Sequence, residues 1–164
     1  MSPRVCNVYL AGSISSLTLA ESRDGWRAEF ARRLRARKTA SHIHLLSPAR
    51  SEPRNFKGKF ETDGKGMPIS VLTRNGRSVT AKDLLDIRRS ELMIASYLDC
   101  EDVMSLGTAF ERGYAMAHNV DVLTIGNPTS VNLSHLLLAG SAGFHADTVA
   151  EAVKATVLLL SPGL

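Results

Sequence analysis

The chain has 164 residues, 44% of them apolar and 22% charged, with a formal net charge of +4; this suits one globular domain that buries roughly 70% of the surface its unfolded form exposes. No run approaches the ~20 apolar residues of a membrane span, and Cys6 and Cys100 form no CxxC pair, which argues against a zinc site or a disulfide framework. Basic residues are spread along the chain and only 5% of residues are aromatic, so the basic groove with stacking aromatics of a sequence-independent nucleic-acid binder is not expected.

The first residues, "MSPRVCNVYLAG", pass from one arginine into a strand-like run without the apolar core and cleavage site of a signal peptide. A reduced, cytoplasmic location is the expectation. Val5–Leu10, His42–Leu46, Leu92–Ser96 and Val120–Ile125 are apolar runs of strand length, separated by longer amphipathic stretches. That alternation predicts an α/β domain, a parallel sheet with helices on both faces. The first long helix is predicted over about Leu19–Arg37, where Trp26, Phe30 and Leu34 recur at i, i+4 and i+8 and the arginines take the other face. Further helices are predicted to start near Thr80, Ser105 and Thr148, the last with Glu151 at capping-box spacing. Between Ala49 and Val79 lies a Gly- and Pro-containing stretch with "RNFKGKFETDGKG" and "RNGRS", too long for an ordinary connection. It reads equally as a basic lid over a site or as a surface insertion.

In doubly wound sheets, ligands bind beyond the carboxyl ends of the strands. Three loops then matter. In "YLAGSISS", backbone N–H groups and the Ser13 hydroxyl beside Gly12 can hold an anion, although one glycine also fits an ordinary strand-to-helix turn. In "GRSVTAKDLLDIRRSELMIAS", Thr80 and Asp83 have capping-box spacing, so Asp83 reads locally as a helix-start residue. In "MSLGTAFERGYAMAHNV", Ser105 can cap a helix and Gly107 lets backbone approach a ligand. On a helical wheel Ala109, Phe110, Gly113, Tyr114 and Ala117 form the apolar arc, with Glu111 beside it. Periodicity permits Glu111 to be a solvated charge. Asp83 and Glu111 nevertheless open two helices flanking one strand, and two carboxylates facing one cleft are what retaining glycosyl transfer requires.

Four segments in this order, "VYLAGSI", "KDLLDIRRSELMIA", "SLGTAFERGYAMA" and "NLSHLLLAG", resemble the nucleoside 2-deoxyribosyltransferase superfamily, which includes the nucleoside 5′-monophosphate N-glycosidases. The resemblance covers most of the chain outside 49–79, and implies a single flavodoxin-like domain with a five-stranded parallel sheet of order 2-1-3-4-5. It further implies homodimers or larger homo-oligomers with shared sites. Neither a metal nor a redox cofactor is implied. Glu111 matches the nucleophile that attacks C1′, Asp83 the aspartate engaged with sugar hydroxyls or with proton transfer to the base, and Tyr9 the tyrosine that orients the nucleophile. Gly12, Ser13, Ile14, Ser105, Gly107 and Ser134 are implied as substrate or phosphate contacts, Ser134 from the neighbouring subunit. Ser105 stands where nucleoside transferases often carry aspartate and the monophosphate glycosidases carry serine, which selects the glycosidases as the nearer branch. A phosphate also prefers hydroxyls and helix N-termini to a carboxylate. Two departures bear on this: Glu91 replaces an aspartate common at that strand start, where packing or an edge contact is the expected consequence, and acidic Asp99, Glu101 and Asp102 fall near the site.

The expected activity is cleavage of the N-glycosidic bond of (deoxy)nucleoside 5′-monophosphates through a covalent glycosyl-Glu111 intermediate. The alternatives are base exchange between deoxynucleosides and a catalytically silent nucleotide-binding module on the same fold.

Overall fold

Five short apolar segments pair side by side, all parallel, as β1 (Cys6–Gly12), β2 (Ile43–Leu46), β3 (Leu92–Ser96), β4 (Asp121–Ile125) and β5 (Phe144–Ala146), in the order 2-1-3-4-5. The structure, a computed structural model, describes residues 4–13, 25–48, 76–135 and 140–161, with side chains in the third stretch described from Thr80 onward. Between the strands run α1 (Trp26–Arg35), a 3-10 turn (Lys38–Ala40), α2 (Gly76–Arg88), α3 (Leu106–Ala117), the one-turn α4 (Val131–Ser134) and α5 (Val149–Leu160). The flavodoxin-like order expected from the resemblance is the order observed.

Alternate residues of each central strand feed two cores. On one face Val8, Leu10, Leu92, Ile94, Leu123 and Ile125 meet Trp26, Phe30 and Leu34 of α1 and Val149, Ala152 and Val153 of α5. On the other, Tyr9, Ala11, Met93, Ala95, Tyr97 and Val122 meet Leu84 and Ile87 of α2 and Tyr114 and Ala115 of α3. β3 is buried throughout, because helices cover both of its faces, and its sequence "LMIAS" is correspondingly apolar without alternation. Glu91 makes the edge contact expected of it: its carboxylate accepts from the Asn7 backbone N–H at 2.7 Å and from Arg4 at 3.1 Å, tying the starts of β1 and β3.

Several predicted elements need correction. α1 is helical from Trp26, with Gly25 at its N-cap, and ends at Arg35; residues 19–24 of the predicted helix lie outside the described residues. Its arginines do not all take the solvent face, since Arg27 is 3% exposed. α2 begins at Gly76 rather than near Thr80. Thr80 therefore lies inside the helix and not at its N-cap, in a helix that carries Leu84 and Ile87 against the sheet. Of the predicted 49–79 insertion, residues 76–79 are thus helical, and 49–75 lie outside the described residues. α5 begins as predicted, with the Glu151 N–H donating to Thr148 Oγ1 at 3.2 Å and the Glu151 carboxylate accepting from the Asp147 N–H. β5, only three residues with His145 at its centre, had no apolar run by which periodicity would find it.

Candidate active site

The arc predicted to be apolar on α3 faces only partly inward: Tyr114 packs against the sheet and Ala109 is half-buried. Phe110, Gly113 and Ala117 are exposed, whereas Thr108, Arg112 and Ala115 are buried and Glu111 is half-buried. The reason is Arg112, which is fully buried and donates to the Tyr97 hydroxyl at 3.0 Å, its guanidinium 5.7 Å from that ring's centroid. An arginine anchored under the helix rotates α3 so that its neighbour Glu111 faces the sheet. The end of α3 is set by Asn119, which adopts a left-handed conformation (φ 55°) while Val120 N–H returns to the Ala115 carbonyl.

Tyr9 rises from β1 on the same face. It is fully buried, and its hydroxyl donates to Glu111 Oε1 at 2.7 Å. Asp83, 8% exposed, belongs to α2 on that face too, and accepts from Lys82 Nζ at 2.8 Å. Burial pushes the Glu111 carboxyl up to about 7, with Asp83 adding to the rise; the Tyr9 hydrogen bond, Arg27 and Lys82 pull it back. Tyr9 itself is held well above its ordinary value by burial first and then by the Glu111 and Asp83 charges, so it stays a hydrogen-bond donor. Together these groups make a partly desolvated carboxylate with one fixed donor on it and a second carboxylate beside it. Such a carboxylate can attack an electron-poor carbon, and a neighbouring acid can handle a proton.

The other predicted residues divide. Gly12 ends β1 opposite Ser96; a Cβ there would stand 3.1 Å from Ser96 O, 3.2 Å from Trp26 and 3.3 Å from Arg27, so the missing side chain is used by the protein's own packing. Ser13 follows it, half-buried, and Ile14 lies outside the described residues. A Cβ at Gly107 would meet nothing within 4 Å, which leaves open space at the start of α3. Ser105 is the N-cap residue of α3, but its hydroxyl donates to Thr108 Oγ1 at 2.9 Å and caps no backbone N–H. Ser134 is exposed on α4, its hydroxyl donating to the Ser130 carbonyl at 2.8 Å.

A family model described as nucleoside 2-deoxyribosyltransferase matches residues 8–133, well over half of the chain. The chain belongs to that family. Its fold is similar to a 2-deoxyribosyltransferase from the psychrotolerant bacterium Bacillus psychrosaccharolyticus, at 17% identity and a TM-score of 0.60 over 93% of this chain and 96% of that one. It is also similar to a conserved protein from Enterococcus faecalis V583 (18%, TM-score 0.50, 96% and 89% of the two chains) and to a 2-desoxiribosyltransferase from Leishmania mexicana (20%, TM-score 0.46, 73% and 63%). No curated protein matches the chain in sequence.

Two residues of this nucleoside 2-deoxyribosyltransferase-family chain escaped sequence reasoning. Asn132 on α4 is fully buried: its Oδ1 accepts from Ser105 N–H at 2.8 Å, and its Nδ2 donates to the Cys100 and Val103 carbonyls at 2.7 and 2.8 Å. It thereby ties down the loop from which α3, and with it Glu111, starts. Arg27 is the other, reaching the last carbonyls of β1 from α1. An asparagine inside "NLSHLLLAG" and one arginine among many carry no local sign of burial; each is recognisable only by what surrounds it.

Proposed function

We propose that this enzyme transfers the 2-deoxyribosyl group of a nucleoside from one nucleobase to another by double displacement at Glu111. The observation that carries the reading is the 2.7 Å hydrogen bond from Tyr9 to Glu111, beside Asp83, in a chain of the nucleoside 2-deoxyribosyltransferase family. In the first step a Glu111 oxygen bonds to C1′ as the C1′–N bond breaks, and the departing base keeps the electron pair and takes a proton, with Asp83 placed to manage it. In the second, a ring nitrogen of the incoming base bonds to C1′, the Glu111 ester bond breaks, and that base loses its proton. Two inversions retain configuration at C1′.

Hydrolysis of nucleoside 5′-monophosphates, the activity expected from Ser105, is the second reading. Ser105 does lie at the first turn of α3, where a helix N-terminus favours an anion. Against it, the matching family is described by nucleoside 2-deoxyribosyl transfer, and the Asp83 carboxylate beside Glu111 repels a phosphate dianion. Base exchange therefore leads. Incubating deoxyinosine with adenine is expected to yield deoxyadenosine, and Glu111→Ala to abolish it with the fold intact. Release of sugar phosphate from dCMP, without exchange, would favour the monophosphate glycosidase, and nucleotide binding with neither product would favour a silent module.

We also propose that the enzyme acts as a homo-oligomer. Val103, Leu106, Phe110, Met116 and Val131 leave an apolar face on and beside the helix that carries Glu111, with Leu106 75% and Phe110 58% exposed. A second copy of the chain is the occupant that suits an apolar face on the helix that carries Glu111.

A further inference from the structure

β1 outruns β2. Their register ends at Tyr9↔Leu46, whereas β1 continues to Gly12, opposite Ser96 of β3. Among the described residues, the last carbonyls of β1 have no strand register beside them on the β2 side, and buried backbone acceptors require partners. Arg27 supplies them: Nε donates to Leu10 O at 3.3 Å and Nη2 to Gly12 O at 3.1 Å. These are alternate carbonyls along one edge, the two that a longer β2 would face. The guanidinium also lies 4.7 Å from the Trp26 ring centroid, and the absent Cβ of Gly12 leaves room for both side chains.

A buried guanidinium needs negative charge near it. Arg27 lies in the field of the Glu111, Asp99 and Asp83 carboxylates, with the protonated Tyr9 hydroxyl close by. Burial lowers it to about 10, so it remains charged at neutral pH. Seen from Glu111, the neighbouring groups are Tyr9 of β1, Asp83 and Lys82 of α2, and Arg27 of α1. Lys82 is committed to Asp83 and to the Pro48 carbonyl, and Arg112, next to Glu111, is turned to Tyr97.

We propose that Arg27 is a positioning residue for the site: along the end of β1 it takes the place that a longer β2 would fill, fixing the strand that carries Tyr9, and from there its buried charge favours the ionised form of Glu111. The assignment rests on Glu111 as nucleophile, and its test does not. The carboxyl 13C resonance of Glu111, identified by its loss in Glu111→Gln, is titrated in wild type, Arg27→Gln and Arg27→Lys, with circular dichroism confirming the fold. In Arg27→Gln, which loses the charge, the Glu111 midpoint is expected to rise by about one pH unit or more. In Arg27→Lys, which keeps the charge but cannot hold two carbonyls in a fork, the midpoint is expected to stay near the wild-type value while kcat for base exchange falls on the order of tenfold with KM little changed. An unmoved midpoint in folded Arg27→Gln would overturn the electrostatic role. Wild-type kcat in Arg27→Lys would overturn the strand-replacing role, and decides the matter alone if Arg27→Gln does not fold. A wild-type protein without base exchange would overturn the proposed reaction and leave the titration standing.

Discussion

Glu111 is held in a state that costs stability at neutral pH. Burial raises its carboxyl from 4.5 to about 7, so the folded protein binds a proton there more tightly than the unfolded chain does. The stability tied to that proton is fully present below about pH 4.5 and is lost as pH rises through 7. Glu111→Gln, which cannot ionise, is expected to escape this loss. Urea unfolding of the two proteins should show the glutamine variant gaining on wild type by on the order of 2 kcal/mol between pH 5 and 8. A pH-independent difference would mean that Glu111 titrates as a surface group. The neighbouring carboxylate has also changed meaning. Asp83 matched a helix start in sequence, but with α2 beginning at Gly76 it lies well inside the helix and buried, where a cap has no purpose.

Among the elements, α3 and α4 are coupled through one side chain. Asn132 bonds the Ser105 N–H and the Cys100 and Val103 carbonyls, so one amide braces the whole connection between β3 and α3. Asn132→Ala orphans three backbone groups, at a cost of about 3 kcal/mol or roughly 10 °C in Tm. Calorimetry checks the size of the loss. The accompanying expectation is a fall in kcat measured well below the melting range, because the start of α3 is no longer fixed; an unchanged kcat would make Asn132 purely structural. The rotation of α3 has the same kind of origin. Phe110 and its side of the arc point outward because Arg112 finds its partner, Tyr97, beneath the helix, and hydrophobic periodicity cannot weigh a buried cation against Phe110.

For the molecule as a whole, that outward arc is the feature a single chain leaves unsatisfied. Phe110→Asp places a charge at its centre, and desolvating an unpaired carboxylate at an interface is costly. Sedimentation velocity is expected to show wild type as an oligomer and Phe110→Asp with its association weakened on the order of 100-fold. A monomeric wild type would remove the basis for a shared site. No helix among the described residues is long and apolar enough to cross a membrane.

Local pattern was enough to establish that strands alternate with helices in a parallel sheet covered on both faces and that Thr148 starts the last helix, because each depends on residues a few positions apart. Motif order added the family, and with it the sheet order and the pairing of Tyr9 with Glu111. What local pattern could not reach was long-range in cause: the three-residue β5, the rotation of α3 over Tyr97, the brace at Asn132, and the arginine that completes the edge of β1. In each, the deciding partner lies elsewhere in the chain, twenty-one residues between the register partners of β4 and β5 and twenty-seven from Asn132 to Ser105. Burial and charge pairing across such separations exist only once the sheet has assembled.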